Sequence, residues 1–166
     1  MPPILRPWTI NDLPALLKHA NNPNVAANMT DGFPYPYTKA DGLKFLAFAN
    51  QDEPVHIFAI EFNGEAIGGI GVHPQQDIHR RNAELGYWLA EEYWGRGIMS
   101  QAIPLMVDFA FGTYDITRVF ARPFGRNLGS QRVLVKSGFV LEARLENTIF
   151  KNGHYEDELI YGIRRP

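Results

Sequence analysis

Two glycines one residue apart, Gly95 and Gly97, join a run of strand-forming residues to a run with helical spacing, and this junction constrains the chain more than any other stretch. From Ala83 to Ala90 the residues are mostly apolar and rich in aromatics, over a length that suits a strand. After Ile98, the residues Ala102, Met106, Phe109 and Ala110 recur at helical spacing, so one face of a helix can lie on a sheet. A chain that leaves a strand through Gly95-Arg96-Gly97 and enters a helix presents main-chain N–H groups. Glycine lets the backbone approach a ligand closely, and the free donors and dipole of a helix N-terminus favour negative charge there. The junction is an anion site in outline. It is not a Walker loop, which needs Gly-x4-Gly-Lys-[Ser/Thr], nor a dinucleotide fingerprint, which needs a third glycine. Many glycine turns precede helices that bind nothing, so the turn alone leaves phosphate binding open.

The rest of the chain supplies the frame. Ile4-Leu5-Arg6 reads as a short strand confined by prolines. Thr9 to Asp12 offer capping side chains to a helix with Leu13, Leu16 and Leu17 on one face, with Pro14 in its first turn and Asn21-Asn22-Pro23-Asn24 at its end. Residues 25–37 have no period and read as a loop with a helical turn near Asn24–Met29. Thr38 and Asp41 cap a second helix, whose predicted buried stripe is Leu43, Leu46, Ala47 and Ala49. Strands follow over 55–62 and 65–72, joined by Asn63-Gly64, a strong hairpin signal. A bend is expected at Pro104, which removes an intrahelical donor. A strand over 118–123, a helix over 127–137 stopped by Gly138, and strands over 140–147 and 154–163 complete the chain. Two hairpins flanking a strand–helix–strand unit predict one α/β domain over residues 1–166 built on a mixed sheet.

Composition removes several classes of function. A net charge of −2 gives no basic excess for binding nucleic acid generally. The absence of cysteine excludes disulfides, thiolate metal sites and a cysteine acyl-enzyme. His73 and His79 lack metal-like spacing with any partner, so no metal is assigned. The N-terminus has no signal-peptide pattern and no segment approaches the roughly 20 apolar residues of a membrane span. A cytoplasmic home without membrane attachment is the expectation.

A second stretch sharpens the reading. Asn127-Leu128-Gly129-Ser130-Gln131-Arg132-Val133-Leu134-Val135-Lys136-Ser137-Gly138-Phe139, taken with Glu84-Leu85-Gly86-Tyr87-Trp88-Leu89 and Tyr93-Trp94-Gly95-Arg96-Gly97, resembles the acyl-CoA-binding core of the GNAT acetyltransferase superfamily and its RimJ/RimL-like branch. The resemblance implies a sheet of six or seven strands, flanked by helices and splayed between two parallel neighbours, with acyl-CoA slotted into the gap. It also implies acetyl-CoA as cosubstrate, an amine as acceptor, and homodimerisation as an option. Cofactor contacts are then expected at Trp88, Leu89, Ala90, Gly95, Arg96, Gly97, Ile98, Met99, Ser100, Asn127, Ser130, Arg132 and Lys136. One position departs from the family pattern: Glu92 stands where the diphosphate motif usually opens with Gln or Arg. A carboxylate there is repelled by a diphosphate, so Glu92 is expected to point outward.

The implied chemistry is attack of a neutral amine on a thioester. An α-amine, with a pKa of about 7.7–8.0, is roughly a quarter neutral at pH 7.4, whereas a lysine near 10.4 is only about 0.1% neutral, a difference of about 3–4 kcal/mol. An N-terminal amine therefore asks less of a base. Glu84 is the first candidate base, on the strand face shared with Gly86, Trp88 and Ala90; its bland alternative is a salt-bridged residue at a strand start. Glu142 and Glu146 are weaker candidates. Ser130 is the candidate acid for the departing thiolate, against an ordinary role in capping a helix. A main-chain N–H near Leu89 is the expected oxyanion donor. Phe33, Tyr35 and Tyr37 are candidates for the wall of the amine pocket, with packing on the sheet as the alternative. A CoA-binding module without catalysis, serving as sensor or scaffold, is the rival function.

Overall fold

The computed structural model describes residues 1–166. Its strands are β1 Ile4–Pro7, β2 Ile57–Phe62, β3 Glu65–Pro74, β4 Asn82–Leu89, β5 Arg118–Ala121, β6 Val140–Lys151 and β7 His154–Arg164. Its helices are α1 Leu13–Ala20, α2 Pro23–Ala26, α3 Lys39–Ala49, α4 Ile98–Thr113 and α5 Leu128–Lys136. The strands hydrogen-bond in the order β1-β2-β3-β4-β5-β7-β6; the pairs β1–β2, β2–β3, β5–β7 and β7–β6 are antiparallel and β4–β5 is parallel. This is the mixed α/β sheet expected. The parallel register covers Asn82 to Glu84 against Arg118 to Phe120, and β4 runs on to Leu89.

Contacts group the residues into two compact units: Met1–Gly71 with Tyr87–Ala102, and Val72–Gly86 with Ile103–Pro166. In the first, Trp8, Leu16, Tyr37, Leu46, Ala59 and Trp88 belong to one buried cluster. The Asn63-Gly64 turn has φ of 52° and 81°, the left-handed pair that a two-residue hairpin demands. Thr38 and Asp41 form the reciprocal cap of α3. The predicted stripe of α3 is corrected: Leu43 and Ala47 are exposed, while Gly42, Leu46 and Ala49 are buried. A Cβ on Gly42 would stand 2.8 Å from Leu13 Cδ1 and 3.1 Å from Leu17 Cδ2. The missing side chain lets the leucines of α1 in, and the buried face turns toward that contact.

In the second unit, Ile116, Val119, Leu134, Phe139 and Leu159 are buried. Pro104 does not end α4, which continues to Thr113. Gly138, at φ 93°, closes α5 as expected. The expected stop of β6 at Asn147 is also corrected. Asn147 is left-handed, at φ 52°, and lies in an irregularity between Leu145 and Ile149, after which pairing with β7 resumes to Lys151. Its N–H donates to Asp157 Oδ1 at 3.0 Å, so a bulge was read as a terminus.

An ion pair fastens the N-terminal strand to the helix that follows. Arg6 donates through both terminal nitrogens to the two oxygens of Asp12, each at 2.8 Å, and through Nε to Glu61. Arg6, and after it the Thr9 N–H, hold the Asp12 carboxyl below its ordinary range against the opposing effect of burial. A depressed carboxylate contributes stability that is complete at neutral pH and is lost as pH falls through the folded-state value. Asp12→Asn is expected to cost about 2 kcal/mol at pH 7, with the gap to the parent closing below roughly pH 4. Urea unfolding at pH 7 and pH 3 checks this; an equal gap at both would contradict the assignment.

Candidate functional site

After β4 the chain makes a tightly bonded descent to the glycine turn. The Ala90 N–H donates to the Ile67 carbonyl at 2.8 Å, and the Leu89 carbonyl accepts from Trp94 Nε1 at 2.8 Å. A single 3-10 turn spans Glu91–Tyr93, closed by the Trp94 N–H on the Glu91 carbonyl at 3.0 Å. Gly95 and Gly97 then adopt φ of 72° and 76°, which side-chain-bearing residues rarely do. Gly95, Arg96 and Gly97 are exposed, whereas Ile98 and Met99 are buried and anchor the start of α4. Ser100 Oγ and Gln101 Nε2 both donate to the Gly97 carbonyl, at 2.8 and 3.2 Å. The polar side chains at the helix entrance therefore serve a carbonyl. The first-turn N–H groups of any helix lack intrahelical acceptors, so this corner can take an anion. Arg96 adds a cation beside it, its guanidinium 5.1 Å from the Tyr93 ring centroid.

The Trp88 ring is turned into the core. It is buried, stacked on Trp8 at 6.4 Å and edge-on to Phe33 at 5.6 Å, leaving its main chain as the part that can meet a ligand. Its backbone is pressed close to β3: a Cβ on Gly68 would collide with the Trp88 carbonyl oxygen and lie 3.1 Å from Leu89 Cα, and one on Gly69 would lie 2.7 Å from Trp88 Nε1. Of the three loop aromatics, Phe33 and Tyr37 lie 5.4 Å apart, Tyr37 in the buried cluster and Phe33 packed against it. Burial pushes the Tyr37 hydroxyl up to about 12. Tyr35 is exposed.

Sequence spacing gave no sign of the polar group behind the turn. The buried His19 ring places Nε2 2.6 Å from Glu65 Oε1 and Nδ1 3.5 Å from Glu92 Oε1. Asn22 and Asn24 donate their side-chain amides to Glu91, at 3.0 Å and at 2.9 and 3.1 Å. Lys18, His19, Asn22, Ala90, Glu91 and Glu92 line a concavity of about 410 Å³. Glu92 is largely exposed and turned toward His19.

The remaining candidates lie in the second unit. Glu84 is salt-bridged, its two oxygens accepting from Arg122 Nε and Nη2 at 3.1 and 3.2 Å. Glu142 accepts from Arg118 Nε at 3.0 Å, and Arg118 holds its carboxyl below the ordinary range. Glu146 is exposed. Asn127, rather than Ser130, supplies the helix cap: its Oδ1 accepts the Ser130 N–H at 3.2 Å. Arg132 and Lys136 are exposed on α5.

Residues 4–140 match the model of the acetyltransferase (GNAT) domain. The chain belongs to this family. Among curated relatives, YoaA of Bacillus subtilis (strain 168), an uncharacterized N-acetyltransferase, is 37% identical over 61% of this chain and 57% of its own length. The ribosomal-protein-serine acetyltransferase of Escherichia coli (strain K12) is 31% identical over 63% of this chain and 58% of its own length. The GNAT chain thus spans little more than half the length of these two relatives. The crystal structure of spermidine N-acetyltransferase from Vibrio cholerae, in complex with CoA and spermine, superposes with a TM-score of 0.80 at 25% identity, covering 98% of this chain and 95% of that one. No three of the His, Asp and Glu side chains gather as a metal site, and no helix is long and apolar enough to cross a membrane.

The crowding at Gly68 gives a direct check on the geometry of this GNAT strand pair. Gly68→Ala must displace the β4 backbone at Trp88 and is expected to cost about 1–3 kcal/mol in urea unfolding. A change within about 0.5 kcal/mol would mean that the two strands are not so close at this point.

Proposed function

We propose that this GNAT domain transfers an acetyl group from acetyl-CoA to a primary amine, in the manner of the RimJ/RimL-like branch. The amine nitrogen bonds to the thioester carbonyl carbon, the C–S bond breaks, the amine proton passes to a base, and the thiolate leaves to be protonated as CoA. The observation that carries the reading is the left-handed Gly95–Gly97 turn opening α4, with Arg96 beside it, as the holder of the diphosphate. Leu89 supplies the oxyanion donor. Successive N–H groups along extended chain point to opposite sides, and that of Ala90 is already bonded to Ile67 on β3, so that of Leu89 faces away from β3. Glu84, oriented by Arg122, accepts the amine proton through water, and Ser130 returns a proton to the thiolate.

The acceptor is a protein N-terminal α-amine or a small-molecule amine; a relative named as a ribosomal-protein-serine acetyltransferase and a solved neighbour holding spermine support keeping both classes. A screen of both classes with acetyl-CoA, read by free thiol, is expected to show release above hydrolysis. Binding of acetyl-CoA without release to any amine would instead assign a sensor or scaffold.

Two variants test the parts. Gly97→Val puts a β-branched residue at φ 76°, where it is strained although the nearest atom, Ser100 Oγ, would be 3.7 Å away. Calorimetry is expected to show acetyl-CoA affinity lowered by about tenfold or more. Unchanged affinity would count against this placement of the diphosphate. Glu84→Gln is expected to lower turnover more for lysine-like amines than for peptide N-termini, because the former need the base more. Equal losses would remove Glu84 from that role.

A further inference from the structure

An acidic pair directly before an anion-binding turn is a problem in electrostatics. Glu91 and Glu92 precede Gly95 by four and three residues, a reach of roughly 6–10 Å and so within a Debye length at ordinary ionic strength. Free carboxylates there would oppose a diphosphate. Neither is free. Glu91 is drawn to the amides of Asn22 and Asn24, with Asn22 at the N-cap of α2. Glu92 faces the ring of His19 near the end of α1, a ring only 4% exposed.

We infer that His19, together with the amides of Asn22 and Asn24, is a clamp that holds the two carboxylates back from the diphosphate turn and thereby sets the affinity for acyl-CoA. This rests on the reading that the diphosphate binds at Gly95–Ile98. Both nitrogens of His19 face carboxylate oxygens, Glu65 at 2.6 Å and Glu92 at 3.5 Å. The charged and titratable groups around it are Lys18 on its own helix, Glu65 on β3, and Glu91, Glu92 and Tyr93 on the 3-10 turn. Lys18 shares Glu65 Oε1 at 3.1 Å, so Glu65 has two partners, whereas Glu92 has the His19 ring at 3.5 Å and the Lys18 charge in its surroundings. The contact with His19, ahead of that with Lys18, holds the Glu65 carboxyl below its ordinary range.

The clamp also reaches the cation of the turn. His19 stands edge-on to Tyr93 at 6.1 Å, Phe62 supports the same ring at 5.9 Å, and Arg96 lies over it at 5.1 Å. His19 and Arg96 thus share one ring, which keeps the Glu92 contact close to the turn. His19 acts through these neighbours and is a positioning residue.

Calorimetric titration with coenzyme A, at low and at high salt, tests the clamp in the parent, His19→Gln, Glu92→Gln, the double variant and Asn24→Asp. His19→Gln is expected to weaken binding about fivefold at low salt, the size of a single-charge effect at a helix N-terminus, with the loss shrinking as salt is raised. Glu92→Gln is expected to bind as well as the parent or better, and the double variant to return to within about twofold of the parent. Asn24→Asp sets a carboxylate against Glu91 from an exposed position, so it tests the clamp without touching the core; a loss of about threefold is expected. A double variant as weak as His19→Gln, or a loss insensitive to salt, would overturn the clamp and make His19 a packing residue. Normal binding by Asn24→Asp would overturn the Glu91 half. Failure of the parent itself to bind coenzyme A would contradict the diphosphate reading instead.

Discussion

Main-chain N–H groups at the mouth of a helix hold a fixed partial positive charge that no rotamer change can withdraw, and this chain is shaped to present them. Gly95 and Gly97 turn the backbone through left-handed conformations just ahead of α4, while the buried Ile98 and Met99 keep the helix from sliding. Upstream, the bonds from Ala90 to Ile67 and from Trp94 to Leu89 fix the chain on the other side of the turn. Flexibility of glycine would be a liability at a binding corner if its flanks were loose. Here both flanks are tied, so the backbone can be pre-organised for a charged ligand before it arrives.

Features that depend on neighbours in sequence were legible. Asn63-Gly64 needs only its own two residues to make a tight hairpin, and both are left-handed as the dipeptide implies. The Thr38–Asp41 cap and the Gly138 stop are equally local. The buried face of α3 was misread because apolar spacing cannot show that Gly42 admits leucines from another helix. The length of β6 was misread because a left-handed Asn147 serves a bulge as readily as an end.

The candidate site divides the same way. The glycine turn announced itself, since backbone conformation and helix start are written in adjacent residues. Partners distant in sequence did not. Nothing near Glu84 in sequence points to Arg122, 38 positions away, which lies across both its oxygens. Nor does the sequence show that Phe33 and Tyr37 pack with the buried cluster. His19 carried no signal, because its meaning comes from Glu65, 46 positions on, and from Glu92. Glu92 shows that a departure from a family pattern can be read chemically: a carboxylate where a donor is usual calls for something to restrain it.

The central claim is that backbone donors of residues 95–98 hold the diphosphate of acyl-CoA. A crystal structure grown with coenzyme A tests it most directly. The account predicts diphosphate oxygens about 2.7–3.2 Å from those main-chain nitrogens, with Glu92 still turned to His19. Coenzyme A bound elsewhere, with this corner empty or filled by the protein's own side chains, would contradict it.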